Sequence, residues 1–150
     1  MARKTRTTSP AAGDRPFGPL LREFLQAMRL ALEESLSPSS YSLRQAMVLS
    51  ALHHNPGLTS AEMAQRMAVT PQAMGETLQE MEKTKLLKRR ARRDHRRKRA
   101  IFLTTQGRKA LSVCCAAMHE VEDRMLASLN SKERNSFKRL MHDCIQGLKA

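Results

Sequence analysis

Apolar residues recur every three or four positions along most of the chain, the spacing that places them on one face of an α-helix. One such stretch runs from Leu20 to Leu36 and ends at the sequence SPSS. A second helix is predicted from Ser42 to His53, before the turn-forming sequence NPG. The apolar positions of the two stretches are Leu21, Phe24, Leu25, Met28, Leu32 and Leu36, then Leu43, Met47, Val48 and Leu52.

Two short helices with clear starts follow. Thr59 and Glu62 have the spacing of a capping box and predict a helix from Ser60 to Met67. Thr70 suits an N-cap and Pro71 a first helical position, so another helix begins there. Its core positions are Met74, Leu78 and Met81. Two short helices with a three-residue link predict a helix-turn-helix.

The pattern then changes to a basic segment that ends in the strand-prone sequence AIFL, which favours a β-hairpin with charge at its tip and edges. A long helix follows, capped by Thr104 or Thr105 and reaching about Leu129. Asn130 and Glu133 form a second capping box for a last helix. The two stripes are Leu111, Cys114, Met118, Val121, Met125 and Leu129, then Phe137, Leu140, Met141, Cys144, Ile145 and Leu148.

Positive charge is concentrated in one part of this chain of 150 residues, whose net charge is +13. From Lys88 to Arg99, nine Lys and Arg residues stand against one Asp. Localised positive charge indicates a polyanionic partner, most often nucleic acid. No apolar run is long enough for a membrane span, and no secretory signal is evident. The cysteine count is odd, at three, which favours a reducing cytoplasm.

The order of these elements resembles the MarR family of winged-helix regulators from about Leu20 to Leu148. The resemblance rests on HHNPGLTSAEMAQRMAVTPQAMGETLQEMEKTKLLKRR and on DHRRKRAIFLTTQGRKAL, where LTTQG matches the family's Leu-Thr-x-x-Gly. It implies a homodimer built from the first and last two helices. It also implies a recognition helix in the major groove and a wing in the minor groove of a near-palindromic operator. A small ligand or an oxidant is implied to release the DNA.

Three positions depart from the family pattern. Asp94-His95-Arg96 fits the Asp-x-Arg of the wing, but counting back from Thr104 places the family's arginine at Arg97, and both alternatives stay open. Lys85 stands where the family often has a helix-ending glycine, and a left-handed conformation there costs roughly 1 kcal/mol. Glu76 stands where a basic residue is frequent.

The predicted fold is mainly α with a small β-hairpin: a winged helix-turn-helix domain plus a helical dimerisation region. Residues 1–18 are expected to form a disordered basic tail, and residues 19–150 a single domain. Within it, 42–104 form the DNA-binding part, and 19–37 with 105–150 the dimerisation helices.

The candidate DNA contacts fall into two groups. The exposed start of the recognition helix should read bases, with Gln72 suited to adenine, Ala73 to a thymine methyl and Glu76 to cytosine N4 or to repelling phosphate. That group is Thr70, Pro71, Gln72, Ala73, Gly75 and Glu76. In the hairpin, Arg96 and Arg97 are expected to enter the minor groove, where narrow segments attract arginine. Phosphate contacts are expected from Arg89, Arg90, Arg92, Arg93, Lys98 and Arg99.

The leading hypothesis is a cytoplasmic, dimeric, sequence-specific transcriptional regulator, expected to be a repressor released by a small-molecule effector. The alternative is a sequence-tolerant architectural or RNA-binding basic protein; a membrane-surface binder is disfavoured because the charge is not on an amphipathic helix. No enzyme motif, cofactor or metal site is expected. The three cysteines are interpreted as structural filler rather than a redox sensor, and a Met-lined ligand pocket stays open as an alternative for the methionines.

Overall fold

The computed structural model describes residues 15–91 and 99–149. The predictions for the first 14 residues and for the hairpin tip, 92–98, therefore lie outside the described residues. In the described part of the chain, six helices and two strands follow one another in the predicted order: α1 Phe17–Leu36, α2 Leu43–His54, α3 Ser60–Arg66, α4 Pro71–Lys83, β1 Leu87–Ala91, β2 Arg99–Leu103, α5 Thr105–Leu126 and α6 Ser131–Gly147. The prediction of a mainly helical winged helix-turn-helix is confirmed.

Helix α1 begins at Phe17, three residues before the Leu20 that the apolar spacing predicted, and so includes the last two residues assigned to the tail. Pro16 is the N-cap, Phe17 the first helical residue, and Pro19 lies in the first turn. A proline costs little there, because the backbone N–H groups of the first turn have no partner within the helix. The two prolines therefore start the helix rather than prevent it.

The helix-turn-helix is closed by hydrogen bonds at both helix ends. Thr59 and Thr70 cap α3 and α4 as predicted. At the end of α3, Val69 N–H donates to Ala64 O at 3.1 Å and Ala68 N–H to Gln65 O at 3.2 Å, with Ala68 left-handed at φ 51°. This is a Schellman turn with alanine in the position that usually takes glycine.

The hairpin lies against the loop between α2 and α3. Within β1 and β2, Leu87 pairs with Leu103 and Arg89 with Ile101. Gly57 N–H donates to Ile101 O at 3.0 Å, and Ile101 N–H donates to Leu58 O at 2.9 Å. This loop thus pairs with β2 on the edge away from β1, a contact that the sequence analysis missed.

The core fills the centre of the helix-turn-helix. Met63, Met74, Leu78 and Met81 are fully buried, as the spacing predicted. Met47 is exposed instead, because α2 turns Ala46 and Leu49 inward. Helix α5 ends at Leu126 rather than Leu129, with Leu126 buried.

Helix α6 buries none of its residues within this chain. Its apolar stripe is exposed except for half-buried Phe137, and the stripe of α1 exposes Leu21 and Leu25. No helix of the described residues is long and apolar enough to cross a membrane.

The start of α5 lies directly on the residue before β1. The Thr104 hydroxyl accepts from Gly107 N–H at 2.9 Å and donates to Lys85 O at 2.6 Å. A Cβ on Gly107 would lie 2.1 Å from the Leu86 carbonyl oxygen, which no side chain tolerates. Thr104 and Gly107 are thus needed together, one for its hydroxyl and the other for its missing side chain.

We expect Gly107→Ala to lower the free energy of unfolding by about 1–3 kcal/mol, because the added methyl group forces the Leu86 backbone away. The control is Gly75→Ala, since a Cβ there meets no atom within 4 Å. This control should raise stability by roughly 0.5–1 kcal/mol through the lower entropy of the unfolded chain. Chemical denaturation at one protein concentration measures both, and equal effects would contradict the close approach.

Candidate nucleic-acid interface

The first turn of α4 presents most of the predicted base-reading residues to solvent. Thr70 caps the helix by accepting from Ala73 N–H at 3.2 Å, and Thr70 and Pro71 are exposed. Ala73 and Gly75 are half-buried, with open space around the position of a Cβ on Gly75. The opposite side of the helix is held in the core, so this turn has a defined orientation.

Gln72 and Glu76 contact each other across one helical turn. Both are exposed, and Gln72 Nε2 donates to Glu76 Oε1 at 3.3 Å. Gln79 is exposed one turn further on the same side, a position that the sequence analysis did not include.

The strands of the hairpin distribute their basic side chains over two faces. Arg89 is half-buried and its Nε donates to Glu82 Oε1 at 2.9 Å. Arg90 is exposed and lies 5.9 Å from the centre of the Phe102 ring, a cation–π contact. Arg99 is exposed at the end of β2.

Alternation along β1 places exposed Lys88 on the side of Arg90, away from Arg89. The sequence analysis counted Lys88 as charge but did not include it among the contacts. The other predicted contacts of the hairpin lie outside the described residues: Arg92, Arg93, Arg96, Arg97 and Lys98. Asp94 lies outside them too, so the question of which arginine it pairs with stays open.

The turn from α4 into β1 uses a left-handed lysine. Lys85 has φ 57°, as expected if it takes the place of the family's glycine. Leu86 N–H donates to Met81 O and Lys85 N–H to Glu82 O, both at 2.9 Å. The recognition helix and the hairpin are therefore joined by a closed turn rather than a loose loop.

Exposed apolar residues lie on α6 and α1, outside the helix-turn-helix. On α6, Leu140, Met141 and Ile145 are exposed, and Leu148 is 90% exposed. On α1, Leu21 and Leu25 are exposed as well. An open cleft of about 360 Å³ between α1 and α5 is lined by Phe24, Ala27, Met28, Ala31, Val121, Arg124 and Met125.

The three thiols have different surroundings. Cys114 is buried in the core, Cys115 is half-buried, and Cys144 is exposed on α6. Burial, followed by the neighbouring Cys115, raises the pKa of the Cys114 thiol above its ordinary value. Among residues 15–91 and 99–149, no three His, Cys, Asp or Glu side chains are grouped to hold a metal ion.

Comparison with known proteins places this geometry in a family. A MarR family model matches residues 39–98, which contain the helix-turn-helix and the first strand of the hairpin. The chain is 33% identical over 130 residues to the HTH-type transcriptional repressor Rv2887 of Mycobacterium tuberculosis, covering 87% of this chain and 94% of that protein.

Solved structures of the same relative superpose on this chain. The crystal structure of Rv2887 in complex with DNA matches with a TM-score of 0.75 and 30% identity, over 87% of this chain and 98% of the other. The complex of Rv2887 with salicylic acid matches with a TM-score of 0.73 and 32% identity, over 89% and 99%.

We expect iodoacetamide at neutral pH to modify Cys114 more slowly than Cys115, because burial blocks access and keeps the Cys114 thiol protonated. Mass spectrometry of the modified peptides measures both rates. In guanidinium the two neighbours should react alike, which serves as the control. Equal rates in the folded protein would contradict the assignment of Cys114 as inert core filler.

Proposed function

Since this chain belongs to the MarR family of transcriptional regulators, we propose that it binds operator DNA as a homodimer and acts as a repressor that a small molecule releases. The observation that carries the proposal is an exposed helix N-terminus on a helix-turn-helix, followed at once by a basic hairpin. In this proposal the protein is not an enzyme, and it acts in the cytoplasm.

The recognition helix α4 enters the major groove with its first turn. Gln72 and Glu76 meet the base edges, and Ala73 and Gly75 let the backbone approach closely. The acceptor oxygens of Gln72 and Glu76 favour bases that present an amino group, adenine N6 or cytosine N4. The helix N-terminus and the exposed Thr70 and Pro71 lie next to a phosphate. The cocrystal of the relative Rv2887 with DNA supports this choice of partner.

The hairpin serves as the wing. Arg96 and Arg97 at its tip enter the minor groove, where the narrow groove concentrates negative potential. Exposed side chains of the strands meet phosphates, Arg90 and Arg99 among them, together with the tip residues Arg92, Arg93 and Lys98. Residues 42–104 thus form the DNA-binding part of one domain.

The remaining helices, in 19–37 and 105–150, form the dimer interface. The exposed apolar stripe of α6 is the main argument, because a monomeric protein rarely leaves the apolar side of a helix uncovered. The open cleft between α1 and α5 lies on two of the helices assigned to this interface, and partner side chains would fill it. Two equivalent recognition helices then face a near-palindromic operator.

The effector is proposed to be a small aromatic acid, by analogy with the salicylic acid complex of Rv2887. Such a ligand releases the DNA only if it binds the DNA-free conformation of the dimer with higher affinity than the DNA-bound one.

We expect Gln72→Ala to weaken operator binding by about 1–3 kcal/mol while random-DNA binding stays unchanged. Neutralising Arg96 and Arg97 should instead weaken both and flatten the salt dependence by about one unit per lost contact. The operator is first selected from genomic fragments, and binding is then titrated with salt. Gln146→Ala, and Lys132→Gln with Arg139→Gln, are controls on α6.

Equal losses on both DNAs for Gln72→Ala would refute the assignment of α4 as the reading helix. Failure to select any common sequence would favour the alternative, a sequence-tolerant binder of nucleic acid.

We expect sedimentation equilibrium at micromolar concentration to give about twice the chain mass of 17.0 kDa. Leu140→Glu with Ile145→Glu should yield a folded monomer, because α6 contributes no buried residue to the single chain. Arg139→Glu, on the opposite side of α6, should leave the dimer intact. A monomeric wild type, or a dimer that survives the double change, would exclude this interface.

A further inference from the structure

An ion pair spans the joint between α4 and β1. Glu82 lies in the last turn of α4 and Arg89 in the middle of β1, and Arg89 Nε donates to Glu82 Oε1 at 2.9 Å. The side chains are 28% and 29% exposed, so the pair is partly withdrawn from water. Only the closed turn at Lys85 separates the two elements, and the pair is a second connection across it.

The direction of Arg89 distinguishes it from the other arginines of the strand. Arg89 pairs with buried Ile101 and shares its face with Leu87, whereas Arg90 lies on the opposite face over Phe102. Arg89 therefore points toward the body of the domain. An arginine that contacts a DNA phosphate must instead point its side chain away from the domain, toward solvent.

The charges of Glu82 and Arg89 also argue against a phosphate contact by Arg89. If Arg89 turned to a phosphate, it would leave the half-buried Glu82 carboxylate unpaired beside a polyanion, which is doubly unfavourable. As a pair, the two side chains carry no net charge. Arg89 then contributes little to the release of counterions that drives phosphate binding.

We propose that Glu82 and Arg89 are a positioning pair that sets the angle between the recognition helix and the wing, and that Arg89 is not a phosphate contact. The proposal rests on the proposed DNA-binding function. Base reading by α4 and minor-groove insertion by the hairpin must occur on one duplex, so the angle between the two elements decides whether both contacts form together.

The test compares Glu82→Gln, Arg89→Gln, their double variant and the charge swap Glu82→Arg with Arg89→Glu. Affinity for the selected operator is measured over a salt series, and hydrogen exchange of the β1 amides is measured without DNA. Controls are Arg90→Gln, which removes an outward charge from the same strand, and Glu80→Gln, which removes a carboxylate from the same helix.

Each single change should weaken operator binding by roughly two- to fivefold, the range of a partly exposed ion pair. The double variant should be no worse than either single one, and the swap should restore affinity. The salt slope should stay at its wild-type value for Arg89→Gln and flatten for Arg90→Gln. Exchange of the β1 amides should accelerate in the single variants and recover in the swap.

If Arg89 instead contacts a phosphate, Arg89→Gln should flatten the salt dependence of operator binding and Glu82→Gln should raise operator affinity. The charge swap should then bind the operator weakly. That result would overturn the proposal, and so would unchanged affinity and exchange in all variants. Wild-type binding to the operator is compared with binding to a scrambled duplex in the same titration. Loss of that preference refutes the DNA-reading function, whereas the exchange data test the positioning pair without DNA.

Discussion

The structure depends on the close approach of α5 to the Leu86 carbonyl. The Thr104 N–H donates to this oxygen at 3.1 Å, the Thr104 hydroxyl donates to the neighbouring Lys85 carbonyl oxygen at 2.6 Å, and Gly107 leaves room for the approach. This contact brings the end of β2 and the start of α5 against the residue that precedes β1. The base of the hairpin and the start of α5 are thereby fixed relative to each other.

Two residues with a strained backbone conformation flank α4 and fix its position. Ala68 and Lys85 are both left-handed without being glycine, at roughly 1–2 kcal/mol each. Both lie in closed turns, and the residue after each packs on or within the core: Val69 and Leu86. The burial of these side chains and the turn hydrogen bonds offset the strain. The recognition helix is thus held at both ends by contacts that a more flexible turn would lose.

The basic run of the hairpin contains residues of different roles. Their shared charge predicts a polyanionic partner, but pairing in the strands separates them. Arg89 faces a carboxylate of the chain itself, while Arg90 and Arg99 face solvent. This difference depends on the register of β1 and β2, which the charged residue types do not specify. Net charge is therefore a better guide to the class of partner than to the individual contacts.

Local patterns in the sequence determined most of the helices, their caps at Thr59, Thr70 and Asn130, and the buried face of α4, because caps and helical spacing act over a few residues. The exposure of Met47, the pairing of Gly57 and Leu58 with Ile101, and the partner of Arg89 were decided by tertiary structure. These features depend on how separate helices and strands pack against one another, which local residue patterns do not specify. The apolar stripe of α6 depends on both. Its helical spacing is evident from the sequence, but only the folded structure shows that no other part of the described residues buries it.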